Sequence, residues 1–227
     1  MIKSVFFDAI DTLFCPYPNK IEMYRRIIKE CVGLDVSTSE MEKIWNELSN
    51  ENEEQAARKL GDNGFLAWDS FNEKILDSLG YTGNTKKMGE ILLYEAWGNE
   101  KNFVLFNDVK SALDILKQKN IPSACVSNEM KYLHNFFVHF NINEHFDFVL
   151  TSEEAKCEKP NPEIFNSALS KANLNPDEVL FVGDSLVSDY TGALNVGMQP
   201  LLIDREDNIQ DKNINKISSL VEIGNYI

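Results

Sequence analysis

The chain has 227 residues, 43% of them hydrophobic, enough to bury a full core as one large domain or as a core with an inserted second unit. Lys and Arg total 22 against 36 Asp and Glu, and the formal charge of −14 argues against broad contact with nucleic acid or an anionic membrane, since both require a basic surface. Cys15, Cys31, Cys125 and Cys157 show neither C-x-x-C spacing nor the density of a disulfide scaffold. With no signal-peptide pattern and no apolar run long enough for a bilayer, the expectation is a cytoplasmic protein with reduced thiols.

The first predicted strand covers residues 2–8 and ends in a carboxylate, within Val5-Phe6-Phe7-Asp8-Ala9-Ile10-Asp11-Thr12-Leu13-Phe14. From Pro16 to Asn102 only helical patterns follow. Ile21, Tyr24, Ile27, Ile28 and Cys31 form one apolar stripe, Met41, Ile44, Trp45 and Leu48 a second, and Trp68, Phe71, Ile75 and Leu79 a third. Gly61, Gly64, Gly80 and Gly83 mark the turns between them. The pattern predicts a helical domain over 16–102 inserted into a core made of 1–15 and 103–227, with Cys15-Pro16-Tyr17-Pro18 and residues 98–102 as connectors.

Beyond the insert, strands are predicted at 121–127, 146–151, 179–184 and 200–204. Helical patterns fall between them. Ala112, Leu113, Ile115 and Leu116 follow the N-cap residues Asn107 and Asp108; Tyr132, Leu133, Phe136 and Phe137 follow Ser127-Asn128; Ile164, Phe165, Ala168 and Leu169 follow Asn161-Pro162. Such alternation specifies an α/β fold with a parallel sheet wrapped by helices. His134, His139 and His145 have no acidic neighbour at ligand spacing and read as structural.

Carboxylates at strand ends carry the chemistry. Asp8 closes the first strand, and Val182-Gly183-Asp184-Ser185-Leu186-Val187-Ser188-Asp189 closes a later one. Strand carboxyl ends are where open α/β sheets bind ligands. Acidic groups gathered there repel one another unless a hard cation neutralises them, and Mg²⁺ combines one or two carboxylates with waters and a substrate phosphate.

The chain resembles the haloacid dehalogenase superfamily, in the group with a helical cap inserted after the first motif. Four motifs carry the resemblance: Asp8 with Thr12; Ser127 closing the strand Ala124-Cys125-Val126-Ser127-Asn128; Lys159 in Cys157-Glu158-Lys159-Pro160-Asn161-Pro162; and Gly183-Asp184 with Asp189. The resemblance implies a three-layer α/β/α Rossmann-like core and a phosphatase acting on a small phosphorylated metabolite. It further implies a nucleophile at Asp8, phosphate binding by Ser127, Asn128 and Lys159, and Mg²⁺ held by Asp8, Asp184, Asp189 and the backbone carbonyl of Ile10. Lys159 is also expected to screen Asp8 from Asp184. The oligomeric state is left open.

One position departs from the pattern. Phosphatases of this superfamily carry a second Asp two residues after the nucleophile as general acid and base, and here Ile10 stands there. Loss of a positioned acid or base costs typically about 10²–10⁴ in rate, so the expectation is a slow enzyme or one confined to good leaving groups. Asp11 falls one step further on and is not assigned the missing role. The alternatives are a metal- and phosphate-binding regulatory module without turnover, or a phosphonatase- or dehalogenase-like hydrolase.

Overall fold

The computed structural model describes residues 1–58 and 65–227, and side chains outside 50–69. The predicted turn residues Gly61 and Gly64, and the side chain of Trp68, lie outside the described residues. The chain divides into two compact units, one of Met1–Cys15 with Leu105–Ile227 and the other of Pro16–Val104.

Eight strands are formed among the described residues: β1 Ser4–Phe7, β2 Phe14–Pro16, β3 Phe103–Leu105, β4 Ser123–Ser127, β5 Phe146–Thr151, β6 Val179–Gly183, β7 Gln199–Ile203 and β8 Lys216–Ile217. Six of them build one parallel sheet in the order β5-β4-β1-β6-β7-β8. The sequence β1, then β4 on one side, then β6 on the other makes β1 the switch point, and the crevice at its carboxyl end is the place such sheets offer a ligand. Every residue of β1, β4 and β6 is buried, as a strand covered on both faces requires.

Strand bounds differ from the sequence expectation at their ends. β1 stops at Phe7, so Asp8 stands just past the ladder. β4 starts at Ser123, two residues late, because Pro122 has no N–H for a ladder; its carbonyl instead accepts from Val5 N at 3.1 Å and Ser4 Oγ at 2.9 Å. β2, β3 and β8 were not anticipated, being two or three residues long and too short to show a period. β2 and β3 pair as a separate two-stranded sheet.

The helix Val109–Gln118 buries Val109, Ala112, Leu113 and Leu116. Asp108 precedes it without capping it through its side chain. The helix Pro162–Ala172 starts as its sequence dictates, with Asn161 accepting from Glu163 N at 2.9 Å and Pro162 in the first turn. Its Ile164, Phe165, Ala168 and Leu169 join Phe6, Val126 and Phe181 in one core, where Phe165 and Phe181 meet edge to face at 5.2 Å. Each Ile, Leu, Val or Phe side chain among them contributes roughly 1.5–3 kcal/mol by leaving water.

The helical unit contains Lys20–Val32, Thr38–Arg58, Phe65–Ser78 and Thr85–Ala96. Its first helix is capped by Asn19, which accepts from Glu22 N at 3.0 Å, and ends at Gly33 with φ 78. Tyr24 is fully buried at the centre of the unit, with the Trp45 ring 5.1 Å away and Phe71 4.9 Å beyond that. Its hydroxyl donates to Asn72 Oδ1 at 2.9 Å and accepts from Trp97 Nε1 at 2.8 Å, while Asn72 Nδ2 donates to Gly89 O at 3.2 Å. A buried polar chain satisfied in this way fixes one packing of the helices.

His134 does have an acidic partner, contrary to the sequence reading: its Nε2 lies 3.2 Å from Glu154, which arrives from a different helix, Ser152–Ala155, and so escaped a search by local spacing. No helix among the described residues is long and apolar enough to cross a membrane, and all four cysteines are free.

Candidate active site

The turn after β1 is tightly wound. Asp8 N donates to Val182 O at 2.9 Å, Leu13 N and Phe14 N both reach Ala9 O at 2.7 and 3.0 Å, and Asp11 N donates to Phe14 O at 2.7 Å. Asp11 takes a left-handed conformation with φ 61, which Asp tolerates better than most residues. This winding leaves the Asp8 side chain buried at the sheet edge.

Parallel pairing brings the other strand ends to the same edge. Ser127, the last residue of β4, donates through Oγ to Asp8 Oδ1 at 2.9 Å. Lys159 Nζ donates to the same oxygen at 2.6 Å and to Asp189 Oδ1 at 2.6 Å. The lysine therefore stands between Asp8 and Asp189, where the sequence reading had set it between Asp8 and Asp184. Asp189 belongs to a π-helical turn, Leu186–Thr191, and its other oxygen accepts from Ser185 N at 2.9 Å. Gly183 makes room for it: a Cβ there would lie 2.3 Å from the Asp189 carboxyl.

Asn128 is engaged with the lysine segment. Its Nδ2 donates to Lys159 O at 2.9 Å and its Oδ1 accepts from Lys159 N at 2.7 Å. The side chain that the resemblance assigns to substrate thus braces the backbone that carries the lysine. Thr12 Oγ1 reaches Asp184 Oδ1 at 3.4 Å. Ile10, in the turn, forms an isolated bridge with Phe14.

Carboxylate oxygens of Asp8, Asp184 and Asp189 all lie within 4.8 Å of one another. Three acids against one lysine leave an excess of negative charge, and an all-oxygen donor set of this size suits a hard divalent cation of the Mg²⁺ type. The titration of the cluster carries the same sign. Burial, followed by the charges of Asp8, Asp189 and Asp11, pushes Asp184 up to about 8, although the residue as a whole still reaches solvent. Burial also pushes Asp189 up to about 6, with Lys159 opposing and Asp8 adding to it. Lys159 is held well above its ordinary value, because Asp189 and Asp8 outweigh the burial that works to lower it. A bound cation would relieve the carboxylates of this mutual penalty.

Two residues at this edge were not identified from sequence. Glu129 follows Asn128, and burial pushes its carboxyl up to about 7 against the hydrogen bond from Tyr132, with the charge of Asp8 adding to the rise. The Tyr132 hydroxyl donates to its Oε2 at 2.5 Å. Arg205, just past β7, reaches back to donate to Thr12 O at 2.9 Å. Only its position one residue beyond the end of a strand, at the ligand edge, marked it in the sequence.

The sequence profile of the haloacid dehalogenase-like hydrolases matches residues 20–203. The chain belongs to that family. Asp8 lies ahead of the matched stretch, so its part in the site rests on the geometry above.

Among relatives of this haloacid dehalogenase-like hydrolase, the glyceraldehyde 3-phosphate phosphatase of Pyrococcus furiosus is 40% identical over 210 residues, covering 87% of this chain and 79% of that one. The haloacid dehalogenase-like hydrolase domain-containing protein 3 of Mus musculus is 36% identical over 111 residues, which is 49% of this chain. That match spans only 44% of the mouse protein. Among solved structures, YfnB of Bacillus subtilis, crystallised with magnesium, superposes with a TM-score of 0.82 over 99% of this chain and 98% of that one, at 16% identity. That likeness shows the fold.

Proposed function

We propose that this hydrolase cleaves phosphate monoesters of small metabolites, with Asp8 as the nucleophile. The observation that carries the reading is the state of the Asp8 side chain: one oxygen is gripped by Ser127 and Lys159, and the group sits in a carboxylate cluster suited to Mg²⁺. Asp8, Asp184, Asp189 and the Ile10 carbonyl would hold the ion, whose chemistry is to neutralise phosphate charge. A carboxylate is a poor nucleophile toward a phosphoryl dianion until that repulsion is removed.

Ser127 and Lys159 then exchange their bonds to Asp8 for the phosphoryl oxygens, where charge spreads in the transition state. As the bond from Asp8 to phosphorus forms, the bond to the ester oxygen breaks, and a water hydrolyses the aspartyl phosphate to return the carboxylate. Ile10 has no proton to give the departing oxygen, so the leaving group carries its own charge away. The helical unit Pro16–Val104 acts as a cap that selects the substrate. The archaeal relative named as a glyceraldehyde 3-phosphate phosphatase supports a short-chain phosphorylated metabolite.

The test is turnover of glyceraldehyde 3-phosphate and a series of aryl phosphates with Mg²⁺ and with the ion removed by chelation, for wild type and Asp8→Asn. Activity should require Mg²⁺, fall on the order of 10⁴-fold or more in Asp8→Asn, and decline steeply as the pKa of the leaving group rises. No turnover, or equal turnover by Asp8→Asn, would sink the proposal.

A further inference from the structure

The turn that carries Asp8, Ile10 and Thr12 is braced from outside by one arginine. Arg205 Nη2 donates to Thr12 O at 2.9 Å, on the same residue whose hydroxyl reaches Asp184 at 3.4 Å. The guanidinium is itself fixed on two sides. It grips Asp108 as a fork, Nη1 to Oδ2 at 2.8 Å and Nη2 to Oδ1 at 3.2 Å, and it stacks on the Phe106 ring at 3.7 Å.

Asp108 is anchored in turn by Ser219 Oγ at 2.9 Å and Leu220 N at 2.8 Å. Although burial works to raise it, the Arg205, Leu220 and Ser219 hydrogen bonds hold its carboxyl below the ordinary range. Phe106 N donates to Leu13 O at 3.1 Å, so the residue under the guanidinium also holds the turn. The chain thus runs from Ser219 and Leu220 through Asp108 and Arg205 to Thr12, and from Thr12 to Asp184.

One atom indicates what this arrangement favours. Arg205 Nε is buried and has no hydrogen-bond partner among the described residues. A buried donor left unmade costs about 1–3 kcal/mol. The side chain keeps Nη2 on Thr12 and the fork on Asp108 rather than turning to satisfy that donor.

We propose that Arg205 is a positioning residue for the turn that bears the nucleophile and the metal ligands, an inference that rests on the Mg²⁺-dependent reading above. By holding the Thr12 carbonyl, it sets the peptides between Ile10 and Thr12, and with them the Ile10 carbonyl and the Thr12 hydroxyl that meets Asp184. Lysine cannot replace it, since an ammonium does not form the planar fork that spans Asp108 and Thr12 together.

The test is calorimetric titration of the metal-free protein with Mg²⁺ for wild type, Arg205→Met, Arg205→Lys and Asp108→Asn, with kcat and KM for p-nitrophenyl phosphate alongside. Ile164→Val, in the core away from this chain of bonds, is the stability control. The Mg²⁺ dissociation constant should rise about 10-fold or more in both Arg205 variants, with kcat falling more than KM changes. Asp108→Asn should show the same change to a smaller degree. Ile164→Val should lower Tm and leave Mg²⁺ binding at the wild-type value. Should Arg205→Met not fold, Arg205→Lys carries the same expectation. Wild-type Mg²⁺ affinity in the folded Arg205 variants, or an equal loss of affinity in Ile164→Val, overturns the positioning role and leaves the phosphatase reading standing. A wild type that binds no Mg²⁺ removes both.

Discussion

The first unit builds the same trio twice, a lysine between two aspartates, with opposite results. Lys159 meets Asp8 and Asp189 at 2.6 Å each, with only 2% of its side chain exposed. Lys216 meets Asp204 at 2.8 Å and Asp207 at 2.5 Å, with 26% of its own side chain and 80% of the Asp207 side chain in solvent. Around Lys159 burial, followed by the charge of Asp8, pushes the Asp184 and Asp189 carboxyls upward. Around Lys216 the acid moves the other way: Asp204 lies below its ordinary value, held first by the Lys216 hydrogen bond and then by the Ile209 and Asn208 amides. Pairing alone does not make a site. Pairing under desolvation with an unmatched charge stores the electrostatic tension that a cation and a phosphate can relieve.

The largest effect should come from removing the buried cation. Lys159→Met leaves Asp8 and Asp189 facing each other without compensation, and breaking a buried pair from one side costs about 3–5 kcal/mol. Chemical denaturation at neutral pH without divalent ions should show that loss, and added Mg²⁺ should recover part of it. Phosphatase activity should fall at least about 10²-fold in the same variant with Mg²⁺ present, since the phosphoryl oxygens lose a donor. Stability within 1 kcal/mol of wild type, by the same scale, would mean the two trios do not differ as argued.

Much of this contrast was legible before the structure. Asp8, Ser127, Lys159, Asp184 and Asp189 stand at strand ends or in motif spacing, and parallel topology carries strand ends to one edge whatever the loops do. The pairing partner of Lys159 was not legible. A lysine in a loop before Asn161-Pro162 can reach either acid of the last motif, and the choice of Asp189 depends on the π-helical turn and on Gly183 yielding space, neither of which has a period. Asn128 was assigned to substrate for the same reason, as sequence does not reveal a side chain engaged by a backbone segment far along the chain. Arg205 and Asp108 are 97 residues apart, and their fork is a product of tertiary packing alone. β2, β3 and β8 were missed because two or three residues carry no alternation.

A smaller effect separates the two regions by pH. Glu129, beside the Lys159 trio, rises from 4.5 to about 7 in the folded chain. Between those values the folded protein holds a proton that the unfolded chain has released, so stability falls as pH rises through that window. Glu129→Gln removes the dependence. The denaturant midpoint of the variant relative to wild type should therefore increase from pH 5 to pH 8. A difference that stays flat would show that the carboxyl is not raised. Asp204 contributes with the reverse sign: its depressed value gives stability that is complete above the ordinary carboxylate range and lost as pH falls through the folded value.

The smallest effect belongs to Lys216→Met. The ammonium also meets the Ile209 carbonyl, yet 26% of its side chain and 80% of that of Asp207 lie in solvent, where ion pairs are screened by salt and offset by side-chain entropy. Asp204 keeps the Asn208 and Ile209 amides, each at 2.9 Å, when the lysine is gone, so its loop retains its anchor. No resolvable change in midpoint is expected at neutral pH in moderate salt, and none in phosphatase activity. If Lys216→Met instead proved as damaging as Lys159→Met, lysine-aspartate geometry rather than desolvation would govern both trios, and the strain assigned to the candidate site would lose its physical basis.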